Sequence, residues 1–505
     1  MKPFRILICI LSTFIVLAAV CVLFSGQSEL VRIPTLESVL GLPFGQPGQS
    51  ELADFSDFSE SSELSEPSDS LESSGASEPE DTLVAVDTVS VRPKVVVLPP
   101  SLLQTALNLP LFYTALTSAD RQSVRVVHFG DSQIEEDRIS MVLRRRLQDR
   151  FGGGGIGLLP MVQTIPTYTA KQTLEQNGHE VPYTTVRRFL SYGPSAMRMK
   201  DGNRYGPMAQ VANVTQPVDV TVELLRDRVP TYDYDRIRIL CSDSVSVTLL
   251  PDSLQLRHIL IGASVADTVS ATDPMRQEII VLQEPRRSSM LHFDGKGYVY
   301  GISLETATGV QVDNIPMRGA SGTNFTLMDR QPFDAYFSHT NTALVIMQFG
   351  GNALPAVRSQ FAVEKYVQSM RQQIRFVMAA APAASLLFIG PSDMITTVDG
   401  EQKTYPLLPL LDRLLADMVE EEGGAYYSLF KLMGGAGSMF SWRDKGLAGE
   451  DMIHFTRAGA KKVGEMLAKQ ILEDYDRIVE TEKSKVQGTD TLNDRRVNDK
   501  MEMTE

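Results

Sequence analysis

The sequence predicts an α/β domain interrupted by a β-rich region. Two observations carry this. Apolar runs of strand length alternate with segments of helical period in two separated parts of the chain, near 124–150 and again from 343 onward. Between them, from about 161 to 300, short β-rich pieces recur with no helix-length periodicity. With 505 residues the chain has room for more than one domain.

Residues 1–28 hold an uncharged apolar stretch, Ile6 to Phe24, behind Lys2 and Arg5. It is long enough to span a bilayer as a transmembrane helix, with its basic end held on the cytoplasmic side. The expectation is an inner-membrane anchor with the following domain in the periplasm. Secretion after signal-peptide cleavage is the alternative, although no small-x-small site follows directly and Val20 before Cys21 departs from a lipobox. Residues 29–95 are read as an acidic, Ser/Pro-rich disordered linker. Within them, 33–91 carry thirteen Asp/Glu and no Lys or Arg. Such a segment buries too little apolar surface to offset its ordering entropy and repels itself into an extended tether. The remaining 49 acidic residues face 48 basic ones, so the net charge of −14 resides almost entirely in this tether. No basic patch argues for nucleic acid.

The first α/β part spans 96–160. Val124 to Phe129 reads as a buried strand. Glu135 to Arg150 reads as a helix, with Ile139, Val142, Leu143 and Leu147 on one face. The glycine run 152–157 formally contains GxGxxG, but it follows a helix, opens none and lacks a Lys-Ser/Thr, so it reads as a loop and not a nucleotide site. Residues 161–300 contain strand-like pieces at 218–224, 236–240, 245–249, 278–282 and 298–304, which suggests an inserted β-sandwich. Tyr183, Tyr192 and Tyr205 in this region could stack on sugars, although core or turn packing is the commoner role. The insert is expected to present a polymer to the catalytic residues without being needed for the chemistry. The second α/β part spans 301–480, with strands at 343–349 and 384–390 and helices near 363–379, 408–421 and 458–475. The polar residues 481–505 are read as a disordered tail.

The chemistry-bearing residues sit at the ends of these elements. Gly130-Asp131-Ser132 follows the first strand, so Ser132 projects at the carboxyl edge of a sheet beside free amides of a helix start. Alone, the tripeptide reads as an Asp/Ser helix cap. Far downstream, Asp451-Met452-Ile453-His454 spaces a carboxylate from an imidazole so that one turn joins them. Such a contact sets the imidazole tautomer and stabilises the imidazolium formed when His454 takes the Ser132 proton. Gly322, in Gly319-Ala320-Ser321-Gly322, could offer a backbone amide to an oxyanion, with Gly319 as its rival. Asn352, after the strand 344–349, could donate its side-chain amide to the same oxyanion, as could the amide of Ser132.

This ordered set resembles the SGNH/GDSL hydrolases, flavodoxin-like α/β esterases. Gly130-Asp131-Ser132 matches the first block, Gly322 the second, Gly350-Gly351-Asn352 the third, and Asp451 with His454 the last. Gln133 stands where the first block has Leu, and Ala353 where the third has Asp. A narrower resemblance, to bacterial peptidoglycan O-acetylesterases, rests on the glycine-rich turn after the first helix and the β-rich insertion. The resemblance covers about 120–160 and 300–475. It implies a three-layer domain and a Ser132–His454–Asp451 triad that hydrolyses O-acetyl esters of an envelope glycan without a cofactor. The readings it leaves open are an O-acyltransferase of the same fold and a non-catalytic glycan-binding scaffold.

Other chemistries find little support. Six scattered histidines show no HxxxH or paired-Cys spacing, so no metal site is expected. Outside the apolar stretch only Cys241 remains, which excludes an intramolecular disulfide there and reads as a small buried residue. His128 reads as a packed strand residue.

Overall fold

The computed structural model describes residues 107–192, 205–225, 231–261 and 274–502, with side chains to 481. The apolar stretch 6–24 and the acidic linker lie outside the described residues. Among the described residues no helix is long and apolar enough to cross a membrane.

The chain runs α1 (Pro110–Leu116), β1 (Ser123–Gly130), a 3-10 segment (Ser132–Asp137) and α2 (Ser140–Phe151). Then come β2 (Gly157–Leu159), β3 (Ala170–Gln176), β4 (His179–Val181), β5 (Arg187–Leu190), β6 (Gln210–Val214), β7 (Val218–Leu224) and β8 (Tyr234–Ser242). Next are β9 (Val245–Leu250), β10 (Gln255–Ile261), β11 (Met275–Arg286), β12 (Ser288–Gly295), β13 (Gly297–Glu305) and β14 (Gly309–Pro316). The chain continues with α3 (Arg330–Ser338), β15 (Thr342–Gln348), α4 (Gln360–Ala380), β16 (Ser385–Ile389), β17 (Ile395–Val398), β18 (Glu401–Thr404) and α5 (Leu408–Glu421). It closes with β19 (Ala425–Tyr427), α6 (Leu429–Met433), α7 (Ser438–Arg443) and α8 (Arg457–Glu502).

Five parallel strands lie in the order β14-β1-β15-β16-β19. Numbered by use within this sheet, that is 2-1-3-4-5, the doubly wound flavodoxin order. Side chains alternate between its two faces. Val124, Val126, Leu344, Ile346 and Leu387 join a core with α1, α2 and α8. Val127, Phe129, Val345, Met347 and Phe388 join a second core with α3, α4 and α5. A strand buried on both faces needs apolar residues in continuous runs rather than in alternation, which is why these segments stand out in the sequence.

The predicted helix over 135–150 begins later, at Ser140. Glu136 and Asp137 take left-handed conformations, with φ of 63° and 68°, and break the helical path. Ile139, Val142, Leu143 and Leu147 are buried as the periodicity implies. The final helix does not stop near 475 and leave a disordered tail over 481–505; α8 runs on to Glu502. No proline interrupts that stretch, and its many Glu, Lys and Arg are good helix formers.

Residues 157–305 form two antiparallel sheets, one ordered β10-β11-β8-β13-β6-β5 with β2 against β13, the other β4-β3-β7-β12-β9. Their facing sides share one apolar cluster that includes Val220, Val222, Ile237, Ile239, Leu291 and Phe293. The opposite face of the larger sheet is not free. Leu158, Val211, Leu240, Met275 and Tyr300 belong to the same core as Phe325, Phe333 and Tyr336. A buried ion network ties the sheets further. Arg125 of β1 pairs with Glu305 and reaches Asp313 at 2.7 Å, and Arg238 of β8 reaches Glu305 at 2.9 Å. The β-rich region therefore does not stand free of the α/β domain: its larger sheet is one wall of the α/β core. The glycine run makes this approach possible. At Gly155, φ is +74° and a Cβ would lie 2.1 Å from the Leu304 carbonyl oxygen; at Gly157 one would lie 2.3 Å from Asp313 Oδ1.

Candidate active site

Ser132 opens the 3-10 segment directly after β1, at the carboxyl edge of the parallel sheet. Chain direction diverges there, toward β14 on one side and β15 on the other, which leaves a crevice. Asp131 caps the segment by accepting the Gln133 amide at 2.9 Å. The Asp451–His454 turn lies across this crevice, ahead of α8. His454 Nε2 is 2.9 Å from Ser132 Oγ, and His454 Nδ1 is 2.6 Å from Asp451 Oδ2. Asp451 is acceptor-only when ionised, so Nδ1 carries the proton and Nε2 accepts from the serine.

The electrostatics fit this tautomer. Burial by itself raises the Asp451 carboxyl. The hydrogen bonds from the His454 ring and from the His454 and Ile453 amides outweigh it and hold the group at about 2. Asp451 is thus an anion across the physiological range. Ser132 is nearly buried, whereas the His454 and Asp451 side chains are 37% and 49% exposed. Water can therefore reach the imidazole.

Asn352 sits in the 3-10 turn after β15, and its Nδ2 donates to Asp131 Oδ2 and to the Ala320 carbonyl, both at 3.2 Å. Both bonds are at the long end of the normal range. Asn352 shares with Ser132 and His454 a cavity of about 150 Å³, walled by Phe349, Pro391, Met394 and Leu429. Neither Gly322 nor Gly319 lines that cavity. A Cβ on Gly322 would stand 2.7 Å from Phe349 and 2.8 Å from Met370, so this glycine is backed by core. Gly319, at φ +76°, has no atom within 4 Å of the same position. Asp131 is fully buried, and that burial lifts its carboxyl to about 6 against the Gln133 amide and the His454 ring.

Three further residues shape the site and were missed in the sequence. Gln133 clamps the histidine turn to the serine turn: its Nε2 donates to the Ile453 carbonyl at 2.8 Å and its Oε1 accepts the Phe455 amide at 3.3 Å. Arg138 does the same from the next turn, reaching the Ser132 carbonyl at 2.9 Å and the Phe455 carbonyl at 3.2 Å. Glu135, buried, pairs with Arg318 at 3.2 Å and so holds the 317–320 turn. The one sequence signal was Gln133 itself, a polar residue where the first block carries Leu. Met452 between the acid and the histidine takes φ 59°, a conformation held by surrounding contacts that include the Ile395 amide on its carbonyl.

His128 is wholly buried, with Nε2 3.2 Å from Gln348 Oε1 and Nδ1 2.9 Å from Ser140 Oγ. Burial drives its pKa down to about 3, so it is a neutral packing residue and not a second base. Cys241 is buried and unpaired. Tyr205 is buried in the core, Tyr192 is half-buried, and Tyr183 is exposed.

The architecture has solved counterparts. A peptidoglycan O-acetylesterase structure superposes with a TM-score of 0.55 at 19% identity, covering 73% of this chain and 96% of its own. The chain resembles the SGNH/GDSL hydrolases. Similarity to TesA (16% identity, 34% of this chain and 81% of that one, TM-score 0.24) is confined to a part. So is that to an acetylxylan esterase from Geobacillus stearothermophilus (14% identity, 33% and 73%, TM-score 0.23). No family model matches the sequence, and no curated protein matches it.

Proposed function

We propose that the protein is a serine esterase that removes O-acetyl groups from a cell-envelope glycan such as peptidoglycan. The observation that carries this reading is the relay from Asp451 through His454 to Ser132, with contacts of 2.6 and 2.9 Å beside a small cavity. Ser132 Oγ attacks the ester carbonyl carbon while His454 Nε2 takes its proton. The oxyanion is held by the Ser132 amide and by Asn352 Nδ2, which turns from its two long bonds toward the stronger, charged acceptor. The third donor is a backbone amide of the 319–322 turn, that of Gly322 with Gly319 as its rival, a turn to which Asn352 is already tied through the Ala320 carbonyl. Collapse expels the sugar oxygen, which takes the proton from His454. Water, deprotonated by His454, then cleaves the acyl-enzyme.

A cavity of about 150 Å³ suits a short acyl group better than a fatty chain. The glycan and the acetyl group are further supported by the likeness in fold to a protein described as a peptidoglycan O-acetylesterase. Anchoring through 6–24, with this domain in the periplasm, is proposed on the apolar run behind Lys2 and Arg5. The test is acetate release from O-acetylated cell-wall polymer by the purified protein and by Ser132→Ala. Equal release by both would refute the role of Ser132. Acetyl transfer to added glycan in place of acetate release would favour the acyltransferase reading.

A further inference from the structure

A second concavity lies on the other flank of the nucleophile segment. Where Ser132 faces the β15–β16 side, Glu135, Glu136 and Asp137 face a cleft of about 80 Å³ toward β14, bounded by Asn314 and Pro316 at the end of that strand. Its far wall is the edge of the larger antiparallel sheet, with Arg188 of β5, Tyr192 and Gln210 of β6. The cleft shares Gln163, Thr164 and Thr167 with a groove of about 740 Å³ that extends to Tyr183. One concave tract therefore runs from the catalytic segment across the β-sheets.

Two of the three carboxylates along the cleft are paired with arginines, whereas Glu136 and Arg188 have neutral hydrogen-bond partners. Asp137 is engaged by Arg144 at 2.6 and 3.0 Å, Glu135 pairs with Arg318, and Glu136 hydrogen-bonds Tyr168. Arg188 meets only neutral acceptors, Thr164 Oγ1 at 2.9 Å and Gln210 Oε1 at 3.3 Å, and no carboxylate pairs with it among the described residues. A guanidinium held in place by neutral groups keeps its charge available to an incoming anion, which it binds in a charge-assisted, often two-pronged contact. At the other end Tyr183 is 49% exposed, whereas the neighbouring candidate Tyr205 is buried. An exposed ring edged by polar groups is a platform for a sugar face.

We propose that this tract holds a carboxylate-bearing polysaccharide strand, with Arg188 binding a carboxylate and Tyr183 stacking on a sugar ring farther along. This rests on the esterase reading for the direction of the strand, since it places the esterified sugar at Ser132. Uronic acids and lactyl ethers would both supply the carboxylate. The test uses full-length protein carrying Ser132→Ala, so that bound polymer is not turned over. Binding is measured to uronic acid oligosaccharides, to lactyl-ether glycan fragments, and to each after reduction of the carboxyls to alcohols. The expected result is binding of one carboxylated series, weakened about tenfold or more by carboxyl reduction and by Arg188→Ala. Tyr183→Ala should weaken both the acidic and the reduced forms, as loss of a stacking surface does. Arg188→Lys, which keeps the charge but loses the fork, should fall between. No binding of either series, or binding indifferent to both carboxyl reduction and Arg188→Ala, overturns the proposal. Aryl acetate hydrolysis by the protein with Ser132 intact is assayed separately; its absence would sink the esterase reading, while the binding result would still decide this one.

Discussion

Replacing Asp451 by asparagine probes the site at its most informative point. Asp451 Oδ2 accepts the hydrogen bond from His454 Nδ1–H at 2.6 Å, while Oδ1 accepts the two amides of its own turn at 3.0 Å each. In the Asp451→Asn variant the side-chain carbonyl oxygen satisfies those amides best, which points the NH₂ group at Nδ1. The ring must then accept there and carry its proton on Nε2, where it can no longer receive one from Ser132. Loss of the right tautomer costs about 10⁴ in turnover where the acid is buried. Here the carboxylate is 49% exposed, and water can stabilise part of the imidazolium charge, so a loss of about 10³–10⁴ in kcat is expected. KM should move little, because Asp451 does not line the Ser132 cavity. The fold should persist, since the turn keeps its amide bonds. The assay is steady-state hydrolysis of an aryl acetate, with far-UV circular dichroism as the folding control. A kcat within about tenfold of wild type in a folded variant would show that this acid does not orient the base.

Three other outcomes follow from the same geometry. Asn352→Ala should lower kcat by roughly 10²–10³ with little change in KM; a rise in KM alone would move Asn352 out of the oxyanion site. His128 is held near 3 in the folded protein, below its unfolded value near 6.5, so its contribution to stability is complete above about pH 6.5 and is lost as pH falls toward 3. Melting temperature against pH should therefore fall less steeply on the acid side in a folded His128→Gln variant, and identical slopes would count against a buried neutral histidine. Replacing 165–295 by a Gly/Ser linker removes Leu240 and Met275 from the core of Phe325 and Phe333 and strips Arg238 from Glu305. The product should be insoluble or lack a cooperative melt, and a stable variant hydrolysing aryl acetate like wild type would restore the view of a separable module.

By itself the sequence determined the α/β character, three of the five parallel strands and the polar residues that meet at the crevice. Strands buried on both faces must be continuous apolar runs, as Val124–Phe129 and Leu344–Phe349 are. Ser132, Asn352, Asp451 and His454 were legible because each follows such a run or lies in a short turn of recognisable spacing. Tertiary structure alone decided what depends on approach between distant segments. Nothing local announces that Gln133 spans from the Ile453 carbonyl to the Phe455 amide, or that Arg138 joins Ser132 to Phe455. The helix break at Glu136 and Asp137 is likewise unwritten, since both residues disfavour positive φ in isolation and hold it only under surrounding contacts. The placement of the larger antiparallel sheet belongs here too. Its strands read as a two-sided sandwich, but Leu158, Leu240 and Tyr300 find their partners in α3 and its approach, far along the chain. Burial of a sheet's second face is a contest between solvent and whatever surface lies opposite, and only the folded chain brings that surface into place.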